Sequence, residues 1–104
     1  METMNWNPAE LLKVAGSYWE TCALHAGVKL DLFSMLNARP QTAADLAAKM
    51  AIDERGLTML LDALAAMQLL DKQGASYAAT DFAAEFLDRH SPAYLGHIIL
   101  HHHH

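Results

Sequence analysis

The sequence predicts a mainly α fold: a winged helix-turn-helix with a small β-hairpin wing and extra N- and C-terminal helices. Three observations predict it. Two apolar-periodic segments, each opened by a capping residue, are separated only by Ala51-Ile52, the signature of two helices meeting at a tight turn. Directly after them, Leu69-Leu70-Asp71-Lys72-Gln73 and Tyr77-Ala78-Ala79 flank Gly74-Ala75-Ser76, which reads as a β-hairpin with glycine in its loop. The hydrophobic fraction of 53% is drawn largely from Ala and Leu, residues that favour helix.

Taken in chain order, Asn7-Pro8-Ala9-Glu10 supplies a capping side chain, a proline with preset φ at the first helical position, and a carboxylate three residues after the cap. The helix that starts there carries Leu11, Val14, Ala15, Tyr18 and Cys22 at helical spacing, with Leu12, Trp19, Ala23 and Ala26 beside them. Gly27 is expected to break it. Val28, Leu30, Leu32, Phe33 and Leu36 then form a shorter helix that ends near Asn37 and Pro40. Thr42 caps a short helix with Asp45 at its third position and Leu46, Ala47 and Met50 inward. Asp53 caps the next, along which Leu57, Leu60, Leu61, Leu64 and Ala65 recur. After the hairpin, Thr80 or Asp81 caps a helix through Phe82, Phe86 and Leu87, and Ser91-Pro92 is expected to open a last helix bearing Tyr94, Leu95, Ile98 and Ile99. Three segments follow from this: N-terminal helices over 1–40, the helix-turn-helix with its wing over 41–81, and C-terminal helices over 82–104.

A chain of 104 residues supports one small core and leaves no room for a second full catalytic domain. Six Met and abundant Leu are more apolar surface than one small monomer easily covers, which favours an oligomer. Seven Lys and Arg against twelve Asp and Glu give a net charge of −5, a field that repels phosphate backbones and anionic lipid. Cys22 is the single cysteine and cannot form an internal disulfide, and no apolar run nears the roughly 18 to 20 residues that span a bilayer. No secretory signal opens the chain, and a cytoplasmic protein is expected. The apolar face that stops at His101 to His104 reads as an artificial boundary or as a helix meant to continue.

The order of elements and several stretches of residues resemble the N-terminal dimerisation domain of class I S-adenosylmethionine (SAM)-dependent O-methyltransferases of the plant and bacterial small-molecule type. The stretches are Leu24-His25-Ala26-Gly27-Val28-Lys29-Leu30-Asp31-Leu32-Phe33, Thr42-Ala43-Ala44-Asp45-Leu46-Ala47, Gly56-Leu57 with Leu60-Leu61-Asp62-Ala63-Leu64, and Leu69-Leu70 with Tyr77 and Thr80. Ser91-Pro92-Ala93-Tyr94-Leu95-Gly96 resembles the start of the family's helix leading toward a catalytic domain. The resemblance implies an intertwined homodimer in which this domain scaffolds assembly and closes one wall of a small-molecule acceptor pocket. It also implies a following Rossmann-like domain that holds SAM and commonly a His general base. Neither is expected within this chain, whose five glycines, Gly16, Gly27, Gly56, Gly74 and Gly96, are isolated and form no phosphate-cradling loop.

A winged-helix DNA-binding transcriptional regulator is the competing reading. Between Gln41 and Asp81, three basic residues, Lys49, Arg55 and Lys72, face six acids. The outer face of the would-be recognition helix, Glu54, Arg55, Thr58, Met59, Asp62, Ala63 and Ala66, supplies one cation, so no nucleic acid and no membrane are expected as partners. A stand-alone protein-interaction module is a third reading. Tyr18, Trp19 and Cys22 are candidates to line a substrate pocket, although packing in a dimer core is the commoner use of such a stripe. Leu11, Val14, Ala15, Tyr18, Trp19, Leu24, Ile98 and Ile99 are the expected dimer interface. His97 and His101 are four apart on a predicted helix, so a divalent metal could bind adventitiously, but no carboxylate supports a true site; an affinity tag and native sequence explain the terminal histidines equally well. His25 and His90 are read as lone residues near helix ends, and Asp31, Asp45 and Asp53 as caps or surface charge.

Overall fold

The computed structural model describes the backbone of residues 8–101 and the side chains of Pro8 and residues 19–101. The Asn7 cap and the side chains of Glu10, Leu11, Leu12, Val14, Ala15 and Tyr18 lie outside the described residues, as do His102 to His104. The fold is mainly helical with a small antiparallel sheet. In order it comprises α1 (Pro8–Lys29), α2 (Leu32–Ala38), β1 (Gln41–Thr42), α3 (Ala43–Met50), α4 (Glu54–Ala66), β2 (Leu70–Gln73), β3 (Ser76–Ala79), α5 (Asp81–Phe86) and α6 (Gly96–His101).

The expected break at Gly27 does not occur, and α1 continues to Lys29. The glycine is there for close approach: a Cβ at this position would lie 3.0 Å from Leu64 Cδ1 and 3.0 Å from Phe33 Cε2. The chain turns instead at Asp31, which adopts left-handed backbone angles (φ 59, ψ 35). From there α2 drops Leu32, Phe33 and Leu36 into the core.

The helix pair α3 and α4 forms as its caps dictate. Thr42 Oγ1 accepts the Asp45 amide at 3.1 Å and Asp53 Oδ2 accepts the Gly56 amide at 2.7 Å, each satisfying one of the donors that a helix start leaves without a partner. Between them Ala51 takes the left-handed conformation at φ 55. The hairpin closes through Gly74-Ala75, with Gln73 opposite Ser76 and Gly74 at φ 62. Ser76 therefore belongs to β3, one residue earlier than the sequence pattern suggests. Strand β1, which was not expected, pairs antiparallel with β3 through Gln41 and Tyr77, giving the sheet order β1-β3-β2.

Thr80 caps α5, its hydroxyl accepting the Ala83 amide at 3.4 Å. The helix expected from Ser91-Pro92 begins only at Gly96. Ser91 is drawn backward: its hydroxyl donates to the Glu85 carbonyl at 2.6 Å, and residues 91–95 form turns that end where the Leu95 amide donates to the Phe86 carbonyl at 2.8 Å.

A single hydrophobic cluster joins these elements. Its fully buried side chains are Phe33, Leu32, Leu36, Leu46, Leu61 and Leu64, each worth roughly 1.5–3 kcal/mol on leaving water. Ala23 and Val28 of α1, Ala47 of α3, Leu57 of α4, Leu70 of β2, Tyr77 of β3, and Ala83 and Leu87 at α5 complete it. Helix α1 packs on α4, α2 and α6, which sets its outward face beside that of α4.

Candidate functional site

An apolar groove lies where α1 crosses α4. Trp19, Cys22, Ala23 and Ala26 form one wall at helical spacing, and Gly56, Met59 and Leu60 form the other, enclosing about 410 Å³. Trp19 is 56% exposed and Met59 59%, so the rims of the groove are large apolar side chains left in water. A Cβ at Gly56 would meet the Asp53 carboxylate at 3.2 Å. Trp19 also borders a second depression of about 310 Å³ with Glu20, Ala63, Ala66 and Met67, and its indole forms the ridge between the two.

Of the residues expected to line a substrate pocket, the structure places Trp19 and Cys22 together on this wall. The α4 residues opposite were missed at the sequence level, because the crossing that joins them to α1 is purely tertiary. Among the described residues, no ionisable side chain other than the Cys22 thiol lines the groove. This lining suits an apolar body.

The expected interface residues divide by exposure. Trp19 and Ile98, at 56% and 57%, point into solvent. Leu24 and Ile99 are half-buried and pack against the chain's own core.

The outer face of α4 and the β2–β3 hairpin are tied to each other. Tyr77 donates its hydroxyl proton to Asp62 Oδ1 at 2.6 Å, and Lys72 Nζ lies 2.9 Å from the same oxygen and 5.4 Å from the Tyr77 ring centre. The hydrogen bond from Tyr77, and after it that from Lys72, holds the Asp62 carboxyl below its ordinary range. The bond to Asp62 pushes Lys72 up, while burial first and the same bond second push Tyr77 up. The cation of the hairpin, Lys72, is therefore engaged by a carboxylate, and α4 turns Glu54, Arg55, Met59 and Asp62 outward with Arg55 as their one positive charge. Such a face competes poorly for phosphates.

His97 packs edge-on against Tyr94 with ring centres 5.1 Å apart, and no group of three His, Cys, Asp or Glu among the described residues could hold a metal ion. His90, expected as a lone residue near a helix end, lies shortly beyond α5 and is paired, its Nδ1 3.0 Å from Asp88 Oδ1. Asp53 caps as expected, and Asp45 sits in the first turn of α3. Asp31 accepts from Ser34 at 2.5 Å and pairs with Arg89 at 3.2 Å. No described helix is long and apolar enough to cross a membrane.

The family model of the O-methyltransferase dimerisation domain matches residues 12–89. Among curated proteins, the chain is 34% identical over 90 residues to the tetracenomycin polyketide synthesis 8-O-methyl transferase TcmO of Streptomyces glaucescens, covering 86% of this chain and 26% of that protein. It is 35% identical over 92 residues to the N,N-dimethyltransferase OxyT of Streptomyces rimosus, covering 88% and 27%. The chain thus spans about a quarter of the length of these relatives. Among solved structures it is similar to an O-methyltransferase family protein from Burkholderia thailandensis, with a TM-score of 0.82 and 31% identity over 94% of this chain and 29% of that one. It is likewise similar to PigF, solved with S-adenosylhomocysteine (SAH), with a TM-score of 0.82 and 29% identity over 92% and 28%.

Proposed function

The chain belongs to the O-methyltransferase dimerisation-domain family, and from that premise we propose that it holds two subunits of a SAM-dependent small-molecule methyltransferase together and closes one wall of each acceptor pocket. The observation that carries this reading is the α1–α4 groove, whose rims Trp19 and Met59 are each more than half exposed. Apolar surface of this kind on a small soluble chain marks a contact surface.

In this reading residues 1–40 and 82–104 serve assembly, and residues 41–81 form a winged helix-turn-helix used as a scaffold. The two copies intertwine through α1, with Trp19 and Ile98 facing the partner, and Tyr18, Trp19 and Cys22 directed to the acceptor. The acceptor is then a largely apolar molecule, as the polyketide context of TcmO suggests. OxyT is an N,N-dimethyltransferase, so the groove is taken to hold the body of the acceptor, with the atom that receives the methyl group set elsewhere.

SAM itself suits this groove badly. Its ribose hydroxyls and adenine edge require several polar partners, and the described lining side chains supply only the Trp19 indole N–H and the Cys22 thiol. We therefore place the cofactor outside this chain. A cytoplasmic enzyme fits the lone free thiol of Cys22.

Light scattering on the 104-residue chain at micromolar concentration tests the reading: a dimer is expected, and Trp19→Ser combined with Ile98→Ser should shift it toward monomer. A monomeric parent chain would refute the intertwined arrangement. The regulator reading is tested by a gel shift with salt titration, in which phosphate contacts would produce a steep salt dependence and none is expected.

A further inference from the structure

Two consecutive residues between α5 and α6 grip both ends of α2. At its N-terminal end, Arg89 Nε lies 3.2 Å from Asp31 Oδ2, and the Arg89 amide donates to Ser34 Oγ at 3.0 Å. Ser34 in turn gives its proton to the other Asp31 oxygen at 2.5 Å. At its C-terminal end, the Asn37 amide donates to Asp88 Oδ2 at 2.8 Å. The remaining Asp88 oxygen accepts the His90 backbone amide at 2.9 Å, with the His90 ring at 3.0 Å. Asp88 is 8% exposed and Ser34 6%. Polar groups this deep are costly unless paired, and here each is paired to a residue more than fifty positions away in sequence.

Neither helix on the two sides of this junction supports itself. α2 has seven residues and α6 six, well short of the roughly 12 to 15 at which an isolated helix becomes marginal. Asp31, at the N-cap of α2, makes no capping bond. Beyond the grip, a relay of backbone bonds leads into α6: Ser91 amide to Asp88 carbonyl at 2.9 Å, Tyr94 amide to Ser91 carbonyl at 3.2 Å, and Ile99 amide to Leu95 carbonyl at 3.1 Å. The apolar hold on α6 comes from Ile99 and Leu100, both only half-buried, while Leu95 and Ile98 face outward.

We propose that Asp88 and Arg89 form a latch that fixes the direction in which α6 leaves the domain, and that opening the latch frees residues 88–101 while the core around α1, α3, α4 and the sheet stays folded. Because Leu95, just before α6, and Ile98 within it both face outward, the latch also sets the angle at which that surface is offered. This holds whether or not the chain pairs through α1.

Residue-resolved amide hydrogen exchange on the 104-residue chain tests the latch. In Asp88→Ala, the amides of Ser91, Leu95 and Ile99 should exchange about tenfold faster, the size expected when a charge-assisted tie to a local opening unit is lost. Amides of Leu61, Leu64 and Tyr77 should be unchanged. Asn37→Ala removes the same tie from an exposed side chain and creates no cavity in the core, and should give the same local pattern at about threefold. The exchanged pair Asn37→Asp with Asp88→Asn keeps an amide facing a carboxylate, and should return protection to α6. Unchanged protection of α6 in Asp88→Ala, an equal acceleration of all amides, or a swapped pair as fast as Asp88→Ala would each overturn the proposal.

Discussion

Replacing Gly27 by alanine sets two effects of known sign against each other. In a helix interior, Ala is favoured over Gly by about 1 kcal/mol. Against this, the new methyl would sit 3.0 Å from Leu64 Cδ1, 3.0 Å from Phe33 Cε2 and 3.2 Å from Phe33 Cζ. Leu64 and Phe33 are both 0% exposed, so neither has solvent to retreat into, and overpacking of such a site typically costs ~1–3 kcal/mol. The packing term wins, and Gly27→Ala should destabilise the chain by about 1 kcal/mol, which for a domain of this size lowers Tm by roughly 4–8 °C. Urea unfolding at one fixed protein concentration is the appropriate assay, since self-association adds to apparent stability. A double-mutant cycle with Leu64→Ala should recover about 1 kcal/mol of coupling, because the cavity left by Leu64 admits the methyl. An alanine variant as stable as the parent, or strictly additive costs in the cycle, would refute the account of Gly27 as a close-approach residue.

Other expectations follow from the polar contacts. Burial alone would push the Asp88 carboxyl up, but hydrogen bonds from Asn37 and from the backbone and ring of His90 outweigh it and hold it at about 2, against the ordinary 3.8. A group depressed on folding stabilises above its unfolded value, so this contribution, about 2 kcal/mol at most, should be complete above pH 4 and fade as pH falls toward 2; unfolding of Asp88→Asn should lack that part of the acid dependence. Tyr77→Phe removes the leading cause of the low Asp62 pKa, so carboxyl NMR should show Asp62 titrating higher, with about 1 kcal/mol lost because the acceptor is exposed. Thr80→Ala removes the cap of α5 and the hydroxyl bond to the carbonyls of Gln68 and Leu69, and thermal melts should show a loss of about 1 kcal/mol.

What could be read from the residues alone was whatever their neighbours in sequence decide. Thr42, Asp53 and Thr80 announce helix starts because a cap acts within three residues, and Gly74 marks the hairpin because its turn is equally local. Gly27 was misjudged as a break since its reason, the approach of Phe33 and Leu64, comes from elements that meet it only in three dimensions. Ser91 resembles a helix cap in sequence, yet its hydroxyl finds the free carbonyl of Glu85 at the end of α5. Strand β1 is two residues long beside Pro40 and exists because β3 is available to pair with it. At the site, periodicity identified Trp19 and Cys22 on one stripe, whereas the opposing Gly56 and Leu60 carry no local sign of facing them. Met59 was assigned to the outer face of α4, which is correct, but that face proved to be the rim of the groove.

The left-handed backbone of Ala51, between α3 and α4, has a consequence for how freely this part of the chain can vary. Alanine resists that conformation by about 1–2 kcal/mol, and glycine does not. A turn that adopts a shape its own residue disfavours is following orders from elsewhere: Leu46, Leu57 and Leu61, buried on the two flanking helices, hold α3 and α4 at their angle, and Ala51 conforms. The connection is therefore a passenger in the geometry of the pair, and a glycine there should add stability without changing the angle it joins.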